Sequence, residues 1–326
     1  AVLNCEFPEI WKKDLKVPVQ KPNKSDAPEN LRPITLVSEL AKITEGVIGG
    51  CTEHMMHHDR EQGGWTPATS QVQRAWMVWS ILVYRKLRLL LPTIIVFVDM
   101  AHFFDTILVE NVLKGMIKNG ISHLLVNAAM EMNTNITAQV MTATEISDPT
   151  DIETGLRQGG RFSTTGAKVA LQELNEPVRK NKGVQIGAND ASITDIEFAD
   201  DEMLLAGCID EMQKTIDALT EAAKEQGYHI NKKTQIRNFG KIKPHKYRVA
   251  EHTVESNDDP MLYVGVLLQK NLGFSAHKKE RTDKALKAMG WVNTTAAGHK
   301  NMGWKDEKEL WYAKGWSTLT FGCELD

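Results

Sequence analysis

Ser192-Ile-Thr-Asp-Ile-Glu-Phe-Ala-Asp-Asp-Glu-Met-Leu-Leu-Ala-Gly207 is the stretch on which the reading of the whole chain turns. At its centre stands Phe198-Ala199-Asp200-Asp201, between two segments rich in apolar residues, each as long as a strand. The pattern predicts a β-hairpin with its charges at the tip. Adjacent carboxylates repel, and one takes up a proton unless a cation neutralises the pair. Such a hairpin is a candidate divalent-metal site, and oxygen ligands suit magnesium, which binds through one or two carboxylates together with substrate phosphates. An isolated Asp-Asp pair is more often a solvated turn, so the reading needs a third carboxylate and a phosphate-binding surface elsewhere.

The third carboxylate is Asp99. It ends Thr93-Ile-Ile-Val-Phe-Val98, a strand apolar on both faces and hence central in a sheet. If the two strands are neighbours, Asp99, Asp200 and Asp201 converge on one sheet edge. That arrangement serves two magnesium ions about 3.5–4 Å apart, which clamp the attacking and leaving oxygens of phosphoryl transfer. A nucleoside triphosphate also needs cationic donors. Lys24, Arg32 and the Gly-rich loop Arg157-Gln158-Gly159 are the candidates. Phe104, five residues past Asp99, is placed to lie beside the sugar, where a bulky ring excludes a 2′-hydroxyl.

Around these motifs the sequence punctuates itself. Pro18, Pro22, Pro28 and Pro33 mark an extended start, and Ser38 predicts the N-cap of a helix through Leu40, Ile43 and Val47. A helix over about 68–90 carries Val72, Trp76, Trp79, Val83, Leu87 and Leu90 at helical spacing, a core stripe. Helices follow at about 109–119 and 122–132, a strand at 136–144, and a helix capped by Ser163 that Pro177 ends or kinks. Met261 to Leu268 is a strand or hairpin. The tail from Ala276 is helical and basic, with Trp291, Trp304, Trp311 and Trp316 as packing anchors.

The 326 residues, 42% apolar and 25% charged, suit a globular protein of more than one subdomain. No stretch spans a bilayer and no secretory signal is visible, which points to an intracellular protein. The start without Met reads as a piece of a longer chain. Cys5, Cys51, Cys208 and Cys323 are scattered and read as free thiols. Net charge is −3, yet Lys232, Lys233, Arg237, Lys241, Lys243, Lys246 and Arg248 fall in an acid-free stretch, and Lys278, Lys279, Arg281, Lys284 and Lys287 form a second basic group. Two basic surfaces on a nearly neutral body suit a phosphate backbone.

In this order the motifs resemble a reverse transcriptase of the non-LTR retrotransposon (LINE) and group II intron type. Asn30-Leu-Arg-Pro-Ile34 is similar to its fingers motif, Asp99-Met-Ala-His-Phe-Phe-Asp105 to motif A, and Arg157-Gln-Gly-Gly-Arg-Phe-Ser163 to motif B. Phe198-Ala-Asp-Asp201 resembles motif C, Gly227-Tyr-His-Ile-Asn-Lys-Lys-Thr234 motif D, and Tyr263-Val-Gly-Val266 the primer grip. Leu319-Thr-Phe-Gly-Cys-Glu324 resembles a segment past the thumb helices of LINE proteins. The resemblance implies an α+β right-hand polymerase with fingers (1–92), a palm of antiparallel sheet backed by helices and carrying inserted finger elements (93–268), and a helical, truncated thumb (269–326). It implies RNA-directed DNA synthesis, a nucleotidyltransferase activity, from a primer 3′-hydroxyl, with an RNA template, a DNA or RNA primer and dNTPs as partners. Asp99, Asp200 and Asp201 hold two Mg²⁺, or Mn²⁺ in their place. Arg32 and Lys24 contact the triphosphate, Phe104 is the sugar gate, and Gln158 and Gly159 back the nascent pair. Lys233 is the acid for departing pyrophosphate, and Tyr263 and Gly265 position the primer end.

The chain departs from that pattern in places. Phe103 replaces a small residue and crowds the gate, Gly160-Arg-Phe162 replaces Cys/Asp-Pro-Leu, and motif D is one residue short. Two other readings stay open. Asp105, a second acid in motif A, suits an RNA-dependent RNA polymerase, and the unusual Gly and Pro positions suit a non-catalytic nucleic-acid-binding scaffold.

Overall fold

The computed structural model describes residues 7–21, 25, 27–187, 191–299 and 302–323. Lys24 and Glu324 lie outside them. Along the chain come β1 (Lys13–Gln20), β2 (Leu31–Leu36), α1 (Glu39–Met55), α2 (Gln71–Val83), β3 (Thr93–Val98), α3 (Phe103–Thr106), α4 (Val109–Lys118) and α5 (His123–Asn133). There follow β4 (Ile136–Val140), β5 (Thr150–Ile152), α6 (Arg161–Arg179), β6 (Val184–Gln185), β7 (Ser192–Ile193), β8 (Asp195–Phe198), β9 (Asp201–Ala206) and α7 (Ile209–Gln226). The last are β10 (Gln235–Phe239), β11 (Lys246–Val249), β12 (His252–Glu255), β13 (Met261–Tyr263), β14 (Val266–Leu268), α8 (Ser275–Gly298), α9 (Trp304–Leu310) and α10 (Ser317–Thr320). The class is α+β, as expected. Among the described residues no helix is long and apolar enough to cross a membrane.

The chain divides into two compact units. The first comprises Ala1–Trp65, Asp99–Asn181 and Ile216–Lys232. Its mixed sheet has the order β2-β1-β4-β5, with β1 antiparallel to β2 and parallel to β4. Beside it α1 and α4 pack on α6, whose inner face buries Ala167, Val169, Leu171 and Leu174. Ser38 caps α1 as its sequence predicts, accepting the Ala41 N–H at 3.2 Å. Ser163 does not cap α6. The helix begins two residues earlier, behind Gly160, and Ser163 is buried inside it. Pro177 does not end it either, because it lies within the last turn, where its missing N–H costs a single bond.

The second unit comprises Thr66–Val98, Lys182–Thr215 and Lys233–Asp326. Its antiparallel sheet has the order β10-β3-β9-β8, so the doubly apolar β3 is central, as predicted. Ala75, Val78 and Leu82 of α2 close a core with Ile95, Ile196, Met203 and Leu205 of the sheet. Here the expected stripe is corrected: Trp76, Leu87 and Leu90 are exposed. The α-helix stops at Val83 and continues as a π-helical turn, Tyr84–Arg88, whose extra residue per turn moves Leu87 and Leu90 off the buried face, while Trp76 lies before it, outside the face that Ala75, Val78 and Leu82 bury. Arg85 turns inward instead and donates to Thr93 Oγ1 and to the carbonyls of Gln185 and Pro92. The C-terminal Trp anchors are corrected likewise, since Trp291, Trp304 and Trp316 are 45%, 68% and 48% exposed.

Candidate functional site

The hairpin at the chain's centre forms as its sequence dictates. Phe198 pairs with Asp201, leaving Ala199 and Asp200 as a two-residue turn. Such turns need a left-handed residue, and Ala199 takes it, at φ 59°. Asp200 is exposed at the tip and Asp201, half-buried, is the first residue of β9. The same sheet pairs Val98 with Glu202, so the C-terminal end of β3 and the start of β9 share one sheet end. Asp99 is the residue bonded to Val98, and it is half-buried.

The residues that would hold metal offer oxygen only, which fits magnesium. Among the described residues no group of three or more His, Cys, Asp or Glu side chains stands ready to hold a metal ion. The expected carboxylate triad is therefore not a closed protein cage. A site that relies on substrate phosphates for part of its ligand shell needs none.

In the first unit, Phe103 and Phe104 follow a left-handed His102, at φ 52°. Phe103, 3% exposed, turns into the core against Tyr228, ring centroids 5.3 Å apart, and also meets the Phe104 ring edge-on at 5.9 Å. Phe104 stays half-buried. The loop before α6 lies directly over this segment: Leu156 N–H donates to the Phe104 carbonyl at 2.8 Å, and Thr154 Oγ1 to that of Asp105 at 3.1 Å. Gly155, at φ +95°, permits the approach, since a Cβ there would stand 3.0 Å from Asp105 Cα. Gln158 donates through Nε2 to Asp105 Oδ1 at 3.0 Å, and its carbonyl accepts the Thr35 N–H at 2.8 Å. Gly159 is exposed on the same loop and Arg32 is exposed on β2.

Arg157 is not available to a triphosphate. Its Nε–H serves both oxygens of Asp14 (3.0 and 2.9 Å), and the rest of its guanidinium donates to Glu45 Oε1 and to the carbonyls of Met132 and Trp11, each at 3.1 Å. Burial raises the Asp14 carboxyl above its ordinary value, and Arg157 offsets only part of that. The other oxygen of Glu45 accepts the Arg161 N–H, at 2.7 Å, and so caps α6 from α1 in place of a local side chain. The cluster was hidden from sequence reading because its members are 112 and 143 positions apart.

Tyr263 belongs to the core. Within β13 Met261 and Tyr263 face inward and Leu262 outward, so the Tyr263 ring is fully buried, edge-on to Phe97 at 6.0 Å. Burial raises its hydroxyl pKa; Arg74 opposes this, while Asp201 and Glu197 add to it. The turn it supports, Val264-Gly265, is left-handed at both residues, with φ 40° and 86°. Arg281 holds that turn from α8: it donates to the Gly265 carbonyl and lies over the Phe321 ring, 4.6 Å from its centroid. Neither Arg281 nor Phe321 stands out as a turn clamp in the sequence. Lys233 is exposed in the turn before β10. In the basic stretch Lys241, Lys243, Lys246 and Arg248 are exposed, whereas Arg237 is buried and donates to Asp259 O, Ile236 O and Gln235 Oε1.

Residues 19–268 match the family described as Reverse transcriptase (RNA-dependent DNA polymerase). Among solved structures, the chain is similar to apo telomerase from Candida tropicalis truncated from its C-terminal domain, at 12% identity and a TM-score of 0.54, over 81% of this chain and 54% of that one. It is also similar to telomerase from Candida albicans in complex with a TWJ fragment of telomeric RNA, at 11% identity and a TM-score of 0.49, over 98% of this chain and 55% of that one. The chain thus spans about half the length of these telomerases. At such identities the first likeness concerns the fold alone.

Proposed function

The chain belongs to the reverse transcriptase (RNA-dependent DNA polymerase) family, and we propose that it extends a primer 3′-hydroxyl with dNTPs on an RNA template by two-metal phosphoryl transfer. The register of β3 against β9 carries this reading. It supports Asp99, Asp200 and Asp201 as the carboxylates at one sheet end. Magnesium, or manganese in its place, supplies when bound the positive charge that polarises the phosphate and activates the hydroxyl. Arg32 faces the triphosphate, and Lys24 is its partner from outside the described residues. Phe104 lies beside the sugar, Gln158 and Gly159 back the base pair, and Lys233 protonates the leaving pyrophosphate. Gly265 and its clamped turn hold the primer end, with Tyr263 acting from beneath. Residues 1–92 serve as fingers, 93–268 as palm and 269–326 as thumb. The motif order supports a retrotransposon-like source of the LINE or group II intron type.

RNA synthesis would use Asp105 to read a 2′-hydroxyl. Its Oδ1 already takes the Gln158 amide, which favours DNA synthesis. The test is primer extension on RNA with magnesium, dNTP against rNTP, and Asp200→Asn as control. Extension by dNTP that Asp200→Asn abolishes supports the proposal. Preference for rNTP rejects it, and tight primer-template binding without extension makes the chain a scaffold.

A further inference from the structure

Phe104 is anchored unevenly. Its main chain is fixed by the 154–158 loop, through Leu156 N–H on its own carbonyl and Thr154 Oγ1 on the next. Its ring is half-buried and has two aromatic neighbours. Phe103 meets it edge-on, at 5.9 Å and 79°. Trp65 meets it edge-on as well, at 5.5 Å and 84°. Edge-to-face pairs at such distances are favourable and directional. Phe103 is adjacent in the chain and locked in the core against Tyr228, so its position is set by that packing. Trp65 comes from a separate loop whose conformation is costly. Its own φ is 53°, in a region that bulky residues avoid, and the turn before it is closed by Gln62 Oε1 accepting the Gly64 N–H at 2.6 Å. Strain of this kind persists only where the surroundings over-determine it.

We infer that Trp65 is a positioning residue for sugar discrimination: it holds the Phe104 ring at the angle that refuses a 2′-hydroxyl. The inference rests on the reading of Phe104 as the gate. Without Trp65 the ring has no aromatic edge on that side and can swing about χ1 and χ2. A ring that swings admits the extra hydroxyl while the groups that hold phosphate and metal stay as they are. The effect falls on the choice between substrates and not on catalysis in general.

The experiment compares kcat/KM for one dNTP and the matching rNTP in single-nucleotide primer extension. Variants are Trp65→Ala, Trp65→Leu, Trp65→Phe, Phe104→Ala and the double Trp65→Ala/Phe104→Ala. The energy of one aromatic pair predicts that Trp65→Ala lowers the dNTP/rNTP ratio about threefold to tenfold. Trp65→Phe keeps most of the ratio. Trp65→Leu lowers it, and its apolar bulk supports the fold should the Ala variant fail to form. In the Phe104→Ala background Trp65→Ala changes the ratio no further. If Phe104→Ala lowers the ratio but neither Trp65→Ala nor Trp65→Leu does, the positioning role is overturned and the gate stands. If Phe104→Ala leaves the ratio unchanged, the gate reading fails, and the role of Trp65 with it.

Discussion

The Nε–H of Arg157 lies between the two carboxylate oxygens of Asp14, and neither side chain is more than 5% exposed. Removing one partner of such a pair strands a buried charge, at a cost of about 3–5 kcal/mol. Arg157→Ala and Asp14→Ala are each expected to lower the denaturation midpoint by a corresponding amount, read by urea titration. A variant of normal stability with a raised nucleotide KM would return Arg157 to the substrate.

Ala199 carries the left-handed penalty at the hairpin tip that glycine avoids. After the greater chain entropy of glycine is subtracted, Ala199→Gly is expected to stabilise the protein by up to about 1 kcal/mol. Thermal melting checks it, and an unchanged or lower midpoint would show that the turn is not strained.

Gly265 cannot take a side chain cheaply. Its φ is +86°, and a Cβ would stand 3.0 Å from the Phe321 ring. Gly265→Ala is expected to cost at least about 1–2 kcal/mol. Arg281→Ala, which frees the turn without a clash, is expected to raise the KM for primer-template more than that for dNTP. Primer titrations at saturating dNTP decide this, and equal effects on both substrates would count against a primer-holding turn.

The exposed Lys241, Lys243 and Lys246 are candidates for binding phosphates. Reversing the charge of a lysine that neutralises one phosphate should take about 0.7–0.9 from the slope of log affinity against log salt. Arg237, engaged with internal carbonyls, should leave that slope alone when replaced and lower stability instead. Salt titrations of primer-template binding separate the two.

His277 bridges α8 and the last described segment. Its Nδ1 accepts the Leu267 N–H at 3.3 Å, and its Nε2 lies 3.0 Å from the Phe321 carbonyl. Burial lowers its pKa below 6.5; Arg281 and Lys284 lower it further, while the Phe321 carbonyl and Glu280 oppose them. As pH falls, the unfolded chain takes up this proton first. The contribution of His277 is thus present above about 6.5 and is lost as pH falls through its lower folded value. Melting between about pH 7.5 and 5 should show a loss that His277→Gln reduces. Parallel profiles for the two proteins would exclude the linkage.

Some of this was open to reading from residue order because it is local chemistry. A two-residue turn between strand-length apolar segments makes the Phe198–Asp201 hairpin, and an apolar six-residue run makes β3 a central strand, whatever surrounds them. The Ser38 cap is of the same kind, a bond between residues three apart. Helical spacing named a stripe through α2, but the core takes the face of Ala75, Val78 and Leu82, and beyond Val83 the π-helical turn at Tyr84–Arg88 interrupts the period.

Charge suggested Arg157, and the primer-grip resemblance Tyr263, as residues that meet substrate, and both side chains are buried. A guanidinium binds whichever carboxylates the fold delivers, and those on β1 and α1 arrive from more than a hundred positions away. The order of Asp99 and the Asp200–Asp201 pair is written in the chain. The pairing of Val98 with Glu202, which brings the two strand ends to one side, belongs to the folded sheet. Strand register depends on how two distant backbones align their hydrogen bonds and bury their apolar faces together, and neither strand encodes that alone.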